Sequence, residues 1–334
     1  MEDEMGKRKE NANQHYVPQS YYRGFSSNQK GVQVYDWKRD IIYSASIASI
    51  SSEPYFYDVD PKVLSAFVNL SEVDEQLVDV TIKNHIEDGI GAVFKSFMHL
   101  TEEMEKLTEE NTIPLEEETA VTLRNFIIIQ LIRTPSFRKQ FENMAETIQV
   151  RLSEHETEET PIHELDLEEW TKIIHNVFLF GTIYRLTQQS DAPLNDWYKT
   201  SHDKLSLMVD NILDGMLEAG ITFFHSETDI PFITSDNPVS IKWKSEIMAD
   251  GFSTIFLPLN PKFALLLFDW DEHEEFREYN RIIYVIGDDK KEMLVNLNLV
   301  TTNQNTEKLY ADVSYKFTEE KKYIKDERKK KTYF

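Results

Sequence analysis

At Gly220 the apolar periodicity of the chain changes, and that change limits the fold more than any other feature. From Ser71 to Gly220 apolar residues recur at helical spacing; beyond it they gather in short aromatic or β-branched runs bounded by Pro, Asn, Asp or Gly. Ser71-Glu-Val-Asp-Glu-Gln-Leu77 reads as a helix start, with an apolar stripe at Leu77, Val80, Ile82, Ile86, Ile90, Val93, Phe94 and Phe97. Pro114–Glu118 opens a second helix whose run Phe126–Leu131 predicts burial on most sides. Further helices are predicted at Pro135–Leu152, Leu167–Leu186 and Asp196–Glu218. Strands are predicted at Ile221–His225, Phe232–Thr234, Val239–Trp243, Ser253–Leu257, Ala264–Phe268, Ile282–Ile286 and Leu309–Tyr315, with a helix at Lys290–Asn305. Near the start, Val32–Trp37 and Ile41–Ile47 flank the turn Lys38-Arg-Asp40 and predict a β-hairpin.

The expected class is therefore α+β: a helical middle layer on a mostly antiparallel sheet built from the C-terminal strands, with an N-terminal β-hairpin. Residues 1–13 read as a disordered terminus and 14–315 as one domain, divided into a motif and hairpin region (14–70), a helical region (71–220) and a sheet region (221–315). Residues 316–334 carry eight Lys or Arg against four acids and read as a frayed basic tail.

Charge narrows the partners. Lys and Arg number 36 against 59 Asp and Glu, a net of −23. Such a chain repels phosphate backbones and anionic membrane at long range, so no broad nucleic-acid-binding face is expected. The acids concentrate in Glu102–Glu118 and Glu154–Glu169, eight in each, and the second stretch reads as a solvated loop and helix start. Glycine is scarce, 10 of 334, and Gly89-Ile-Gly91 is only a fragment of a phosphate loop, so side chains would have to hold any phosphate. Cysteine is absent, which removes disulfides, cysteine metal sites and thiol catalysis. With neither an apolar leader nor an 18-residue apolar run, a cytoplasmic protein without membrane segments is expected.

Three polar constellations interrupt apolar context. His15-Tyr-Val-Pro-Gln19 with Arg23 offers a group that titrates near neutrality, at about 6.5, or a hydrogen-bonded structural histidine. In Phe126-Ile-Ile-Ile-Gln130-Leu-Ile-Arg133-Thr-Pro135-Ser-Phe-Arg138, Gln130 and Arg133 share a helix face just before the proline. A guanidinium there needs an anionic partner, either a substrate phosphate or carboxylate or an internal Glu. Pro231-Phe-Ile-Thr-Ser-Asp236-Asn237-Pro238 ends a strand in three polar groups, a position that suits catalysis and equally suits turn chemistry. Metal and nucleophile signals are weak: no HExxH occurs, Asp269–Glu275 reads as a wet acidic loop, and Asp36-Trp-Lys38 is half of a nuclease-type site without its acidic partner. Tyr16, Tyr21, Tyr22 and Phe25 can stack bases or fill a core.

Together these segments resemble the domain of unknown function 4238 family of bacterial proteins. The resemblance rests on His15-Tyr-Val-Pro-Gln19, Arg23-x-Phe25, Glu87, Gln130-x-x-Arg133-Thr-Pro, Phe232-Ile-Thr-Ser-Asp-Asn-Pro238, Leu257-Pro-Leu-Asn-Pro261 and Asn298, over roughly Asn13 to Tyr315. Asn260 stands where the family more usually has Ser, and the Glu154–Glu169 insert is peculiar to this chain. The resemblance brings no established reaction. It implies a site in which His15, Asp236 and Glu87 are the catalytic candidates and Gln19, Arg23, Gln130, Arg133, Asn237 and Asn298 the ligand-binding ones. His15 would be acid or base, Asp236 its orienter or a divalent-metal ligand, and Arg133 the anion clamp.

The expectation is one pocket between helical layer and sheet, taking a small anionic or phosphorylated ligand. Two functions follow from it: a hydrolase on phosphoesters or nucleotides, nuclease-like and placed in anti-phage defence, or a non-catalytic sensor or interaction module with a partner protein or a second copy of the chain.

Overall fold

The computed structural model describes residues 13–87, 90–91, 117–139, 142, 165–188, 193–245, 251–280, 283–302, 306–322 and 324. Helices and mostly antiparallel sheets make up the expected α+β class. Two compact units form from alternating stretches: the first takes in Met1–Tyr16, Ser52–Ile90 and Asn125–Asp210, the second Val17–Ser51, Gly91–Arg124 and Asn211–Phe334.

In the first unit, β1 (Asn13–His15) pairs antiparallel with β4 (Ser52–Pro54). Helix α2 (Pro61–Leu64) is capped by Asp60, and α3 (Leu77–Ile82) runs into a π-helical turn over Lys83–Glu87. Val78, Ile82, Ile86 and Ile90 are buried at four-residue spacing. Val80, expected in that stripe, is 46% exposed, because it lies about 200° round the helix from Val78. Val93, Phe94 and Phe97 lie outside the described residues, as do most of the helix expected at Pro135–Leu152 and most of both acidic stretches.

Helix α4 (Glu117–Ile132) buries every residue from Phe126 to Ile132, the fate of a helix that is apolar all round. Helix α5 (Leu167–Gln188) begins at Glu168 and Glu169, whose charges suit a helix N-terminus, and is capped by Asp166, which accepts from the Glu169 amide. Phe67 packs between Trp170 of α5 and Tyr198 of α6 (Asp196–Glu218).

In the second unit, β2 (Gly31–Asp36) and β3 (Ile41–Ser46) form the expected hairpin and extend through β11 (Lys308–Ala311) to β6 (Thr234–Ser235). A five-stranded sheet has the order β10-β5-β9-β8-β7, from β5 (Gly220–Ser226), β7 (Ser240–Trp243), β8 (Phe252–Pro258), β9 (Phe263–Phe268) and β10 (Ile283–Ile286). Among the described residues, β5 and β10 alone pair in parallel. Helix α7 (Lys291–Val300) lays Leu294 and Leu297 against Phe224, Phe256 and Phe268. Gly220, where the periodicity changes, pairs with Phe268, and that ring covers it so closely that a Cβ would fall 2.3 Å away.

Several expectations are corrected. The strand at Phe232–Thr234 contracts to Thr234–Ser235, because the side chain of Asn298, not a neighbouring strand, takes the Ile233 amide and the Pro231 carbonyl. The strand expected at Leu309–Tyr315 stops at Ala311, and the helix expected at Lys290–Asn305 stops at Val300. The basic tail is not frayed where it is described: Phe317 and Ile324 are buried against Tyr35, Ile233 and Leu309. Tyr16, Tyr21, Tyr22 and Phe25 present no face to a base, since each is 8% exposed or less. The Tyr21 hydroxyl instead meets Thr234 Oγ1 at 2.8 Å and donates to the Pro258 carbonyl at 2.6 Å.

Candidate functional site

Gln130 and Arg133 leave α4 on one face and are both fully buried. Gln130 Nε2 donates to the Tyr16 carbonyl at 2.9 Å. Arg133 Nε donates to the Tyr57 hydroxyl at 3.1 Å, while Nη2 reaches the His15 carbonyl and Glu87 Oε1, the latter at 2.9 Å. Of the two partners open to this guanidinium, the internal glutamate is the one the fold supplies. Burial works against the charge, but the Tyr57 hydroxyl and the Glu87 carboxylate hold the guanidinium above its ordinary value. Burial also pushes the Tyr57 phenol up to about 12, and burial with the nearby Glu87 charge raises Asp79. Gln14 tightens the same corner: its Oε1 accepts the Tyr57 amide at 2.6 Å and its Nε2 donates to Asp58. In this corner Gln130 Oε1 and Arg133 Nη1 remain without a hydrogen-bond partner.

His15, Glu87, Gln130 and Arg133 thus belong to the first unit, and the backbone of His15 is what Arg133 touches. Gln19, Arg23, Asp236, Asn237 and Asn298 belong to the second. Arg23 is exposed and donates along α1 (Gln19–Arg23) to Gln19 Oε1 at 3.2 Å. Asp236 accepts the Glu307 and Lys308 amides at 3.1 and 3.3 Å, tying the end of β6 to β11. Burial pushes its carboxyl up to about 7 despite those donors. The Asn237 amide donates to Ser235 Oγ at 3.2 Å, the local turn bonding that the Ser-Asp-Asn-Pro sequence predicts. Asn298 splints Pro231 and Ile233. Among the described residues, no group of three or more His, Asp or Glu side chains is arranged to hold a metal ion.

An open cleft of about 770 Å³ lies wholly within the first unit, just past Pro135. Phe56, Arg138, Thr171 and Lys172 form its floor. The guanidinium carbon of Arg138 stands 3.6 Å above the Phe56 ring centroid. Arg138 Nε donates to His175 Nδ1 at 3.2 Å, and Nη2 donates to the Phe56 carbonyl at 2.8 Å and to Asn176 Oδ1 at 3.2 Å. The other ring nitrogen of His175 meets the Ile132 carbonyl at 2.7 Å, which fixes the ring so that Nδ1 is the acceptor. Burial and the Arg138 charge push His175 down to about 3, so it is neutral. Arg138 is therefore held by three neutral acceptors, with no ion pair to a carboxylate among the described residues. Burial lowers it to about 10. Lys172, half-buried beside it, is lowered by burial and by the Arg138 charge. Thr171 Oγ1, in a residue 2% exposed, has no hydrogen-bond partner.

The family model described as Protein of unknown function (DUF4238) matches residues 13–317. The chain belongs to that family. No curated protein and no solved structure matches it. The match spans the segment from Asn13 to Tyr315 that carries the motifs, and it ends at Phe317, a buried residue of the second unit.

For this DUF4238 member the motif around Arg133 holds two arginines of different kinds. Arg133 is neutralised inside the fold, whereas Arg138 keeps its charge at a cleft. Arg138 lies in a segment that the sequence singles out but is not among the residues expected at the site, and the sequence gives no such expectation for Phe56, Thr171, Lys172 or His175. Arg138 carried a usable signal: a cation five residues beyond Arg133, across the Pro135 break, cannot share that residue's helix face. Phe56 carried none, because its place under the guanidinium depends on packing between distant segments. No described helix is long and apolar enough to cross a membrane.

Proposed function

We propose that this protein is a non-catalytic binding module for a small anionic ligand, held in the cleft of the first unit by Arg138 and Lys172. The observation that carries this reading is the Arg138 guanidinium, fixed on Phe56 by three neutral acceptors and without a carboxylate partner. Two like charges, half-buried together, with no carboxylate in ion-pair contact with either among the described residues, favour an anion as the occupant. Arg138 brings fork geometry and Lys172 a mobile point charge. Isothermal titration of the full chain with sodium acetate and with inorganic phosphate tests the reading. Saturable binding that Lys172→Met weakens at least about fivefold supports it, and binding indifferent to both Lys172→Met and Arg138→Gln overturns it.

A second reading, a hydrolase on phosphoester or nucleotide substrates with a place in anti-phage defence, has one observation in its favour. The Asp236 carboxyl, pushed up to about 7, has the proton affinity of a general acid or base working near neutral pH. Phosphodiester hydrolysis that disappears in Asp236→Asn while the fold persists would support this reading; an activity unchanged by that substitution would sink it.

A further inference from the structure

The cleft that binds the anion has a rim of opposite sign. Its exposed edge carries Glu53, Glu142, Asp166, Glu168 and Glu169, while the half-buried and buried floor carries Arg138, Lys172 and Thr171. Asp166, Glu168 and Glu169 are held in place by the start of α5, where Asp166 accepts the Glu169 amide at 2.8 Å. Among the described residues none of these rim acids makes an ion pair or hydrogen bond with Arg138 or Lys172; the Glu53 charge acts on both cations and Glu169 on Lys172 from a distance, without outweighing burial. Among the described residues, Lys139 is the cation of the exposed edge.

This arrangement selects against a polyanion. A nucleoside triphosphate or pyrophosphate would bring several negative charges past five carboxylates to reach two cations. A simple monoanion would meet the floor but leave the rim unused. We propose that the ligand is a small zwitterion, an amino-carboxylate whose anionic group sits on Arg138 and Lys172 and whose ammonium group faces the acidic rim. The inference rests on the anion-binding reading of the same cleft and adds the sign of the ligand's far end. The Phe56 ring beneath Arg138 closes that side of the floor against water. A cleft of about 770 Å³ lies within the range of small-molecule sites.

Calorimetry on the full chain with matched probes tests the proposal: sodium hexanoate, 6-aminohexanoate and hexylamine, with 4-aminobutyrate and glycine to vary the charge separation. At least one amino-carboxylate is expected to bind about tenfold or more tighter than hexanoate, because several weak exposed charge contacts with the rim act together on its ammonium group. The double variant Glu168→Gln/Glu169→Gln should remove most of that gain and leave hexanoate binding equal or improved. Lys172→Met should weaken both carboxylates together. If hexanoate binds as tightly as every amino-carboxylate, the zwitterion inference fails while the anion reading stands. If no carboxylate binds but phosphate does, and Lys172→Met weakens it, the zwitterion inference alone fails; if neither carboxylates nor phosphate bind, both fail.

Discussion

Arg133 Nη2 lies 2.9 Å from Glu87 Oε1, one end of the pair 1% exposed and the other 28%. The guanidinium comes from the end of α4 and the carboxylate from the end of a π-helical turn, so one ion pair fixes two helix termini and, through the His15 carbonyl, the strand β1. Glu87→Ala leaves a buried arginine without its counter-charge, and the expected loss is about 2–4 kcal/mol. Arg133→Met removes the charge with little loss of volume and should cost less. In urea denaturation the double variant should be less destabilised than the sum of the singles; strict additivity would show that the pair is not coupled.

Asp236 gives stability a distinctive pH slope. Its folded value is pushed up to about 7 from 3.8 by burial, so between those two values the folded chain binds more protons than the unfolded one. Stability from this group is present below pH 3.8 and lost as pH rises to about 7. His175, pushed down to about 3, contributes the opposite slope below its ordinary 6.5. The difference between wild type and Asp236→Asn isolates the aspartate: the variant should gain relative stability steadily from pH 4 to 7. Parallel profiles would refute the assignment.

Gly181 of α5 and His202 of α6 meet with no room between them. A Cβ at Gly181 would lie 2.3 Å from His202 Nε2, in a buried ring that has nowhere to turn. Gly181→Ala should cost about 1–3 kcal/mol in spite of alanine's better helix propensity. Adding His202→Ala should recover part of that loss, which thermal melts of the two variants can show.

The Tyr21 hydroxyl, buried with two partners, joins α1 to β6 and β8 in the second unit. Tyr21→Phe strands the Thr234 hydroxyl and the Pro258 carbonyl and should cost about 1–2 kcal/mol. A denaturation midpoint equal to wild type would mean that water replaces both bonds.

The C-terminal segment is part of the core. Phe317 is fully buried against Tyr35, and Phe317→Ala should destabilise by about 3 kcal/mol. A shift below about 0.5 kcal/mol in the urea midpoint analysis would restore the frayed-tail reading.

Local periodicity alone was enough for much of this molecule. Helices α5 and α6, the β2–β3 hairpin and strands β5, β8 and β9 lie within a residue or two of where spacing and turn residues put them, because those signals are carried by neighbours in sequence. The all-round burial of Phe126–Ile132 was legible for the same reason. The partner of a side chain was not. That Arg133 meets Glu87, that Asn298 takes the place of a strand beside Ile233, and that Phe317 is core depend on contacts between residues 46, 65 and 282 positions apart, respectively. The charge that stays open is likewise a tertiary matter: sequence shows two arginines five residues apart, and only packing decides which one finds a carboxylate.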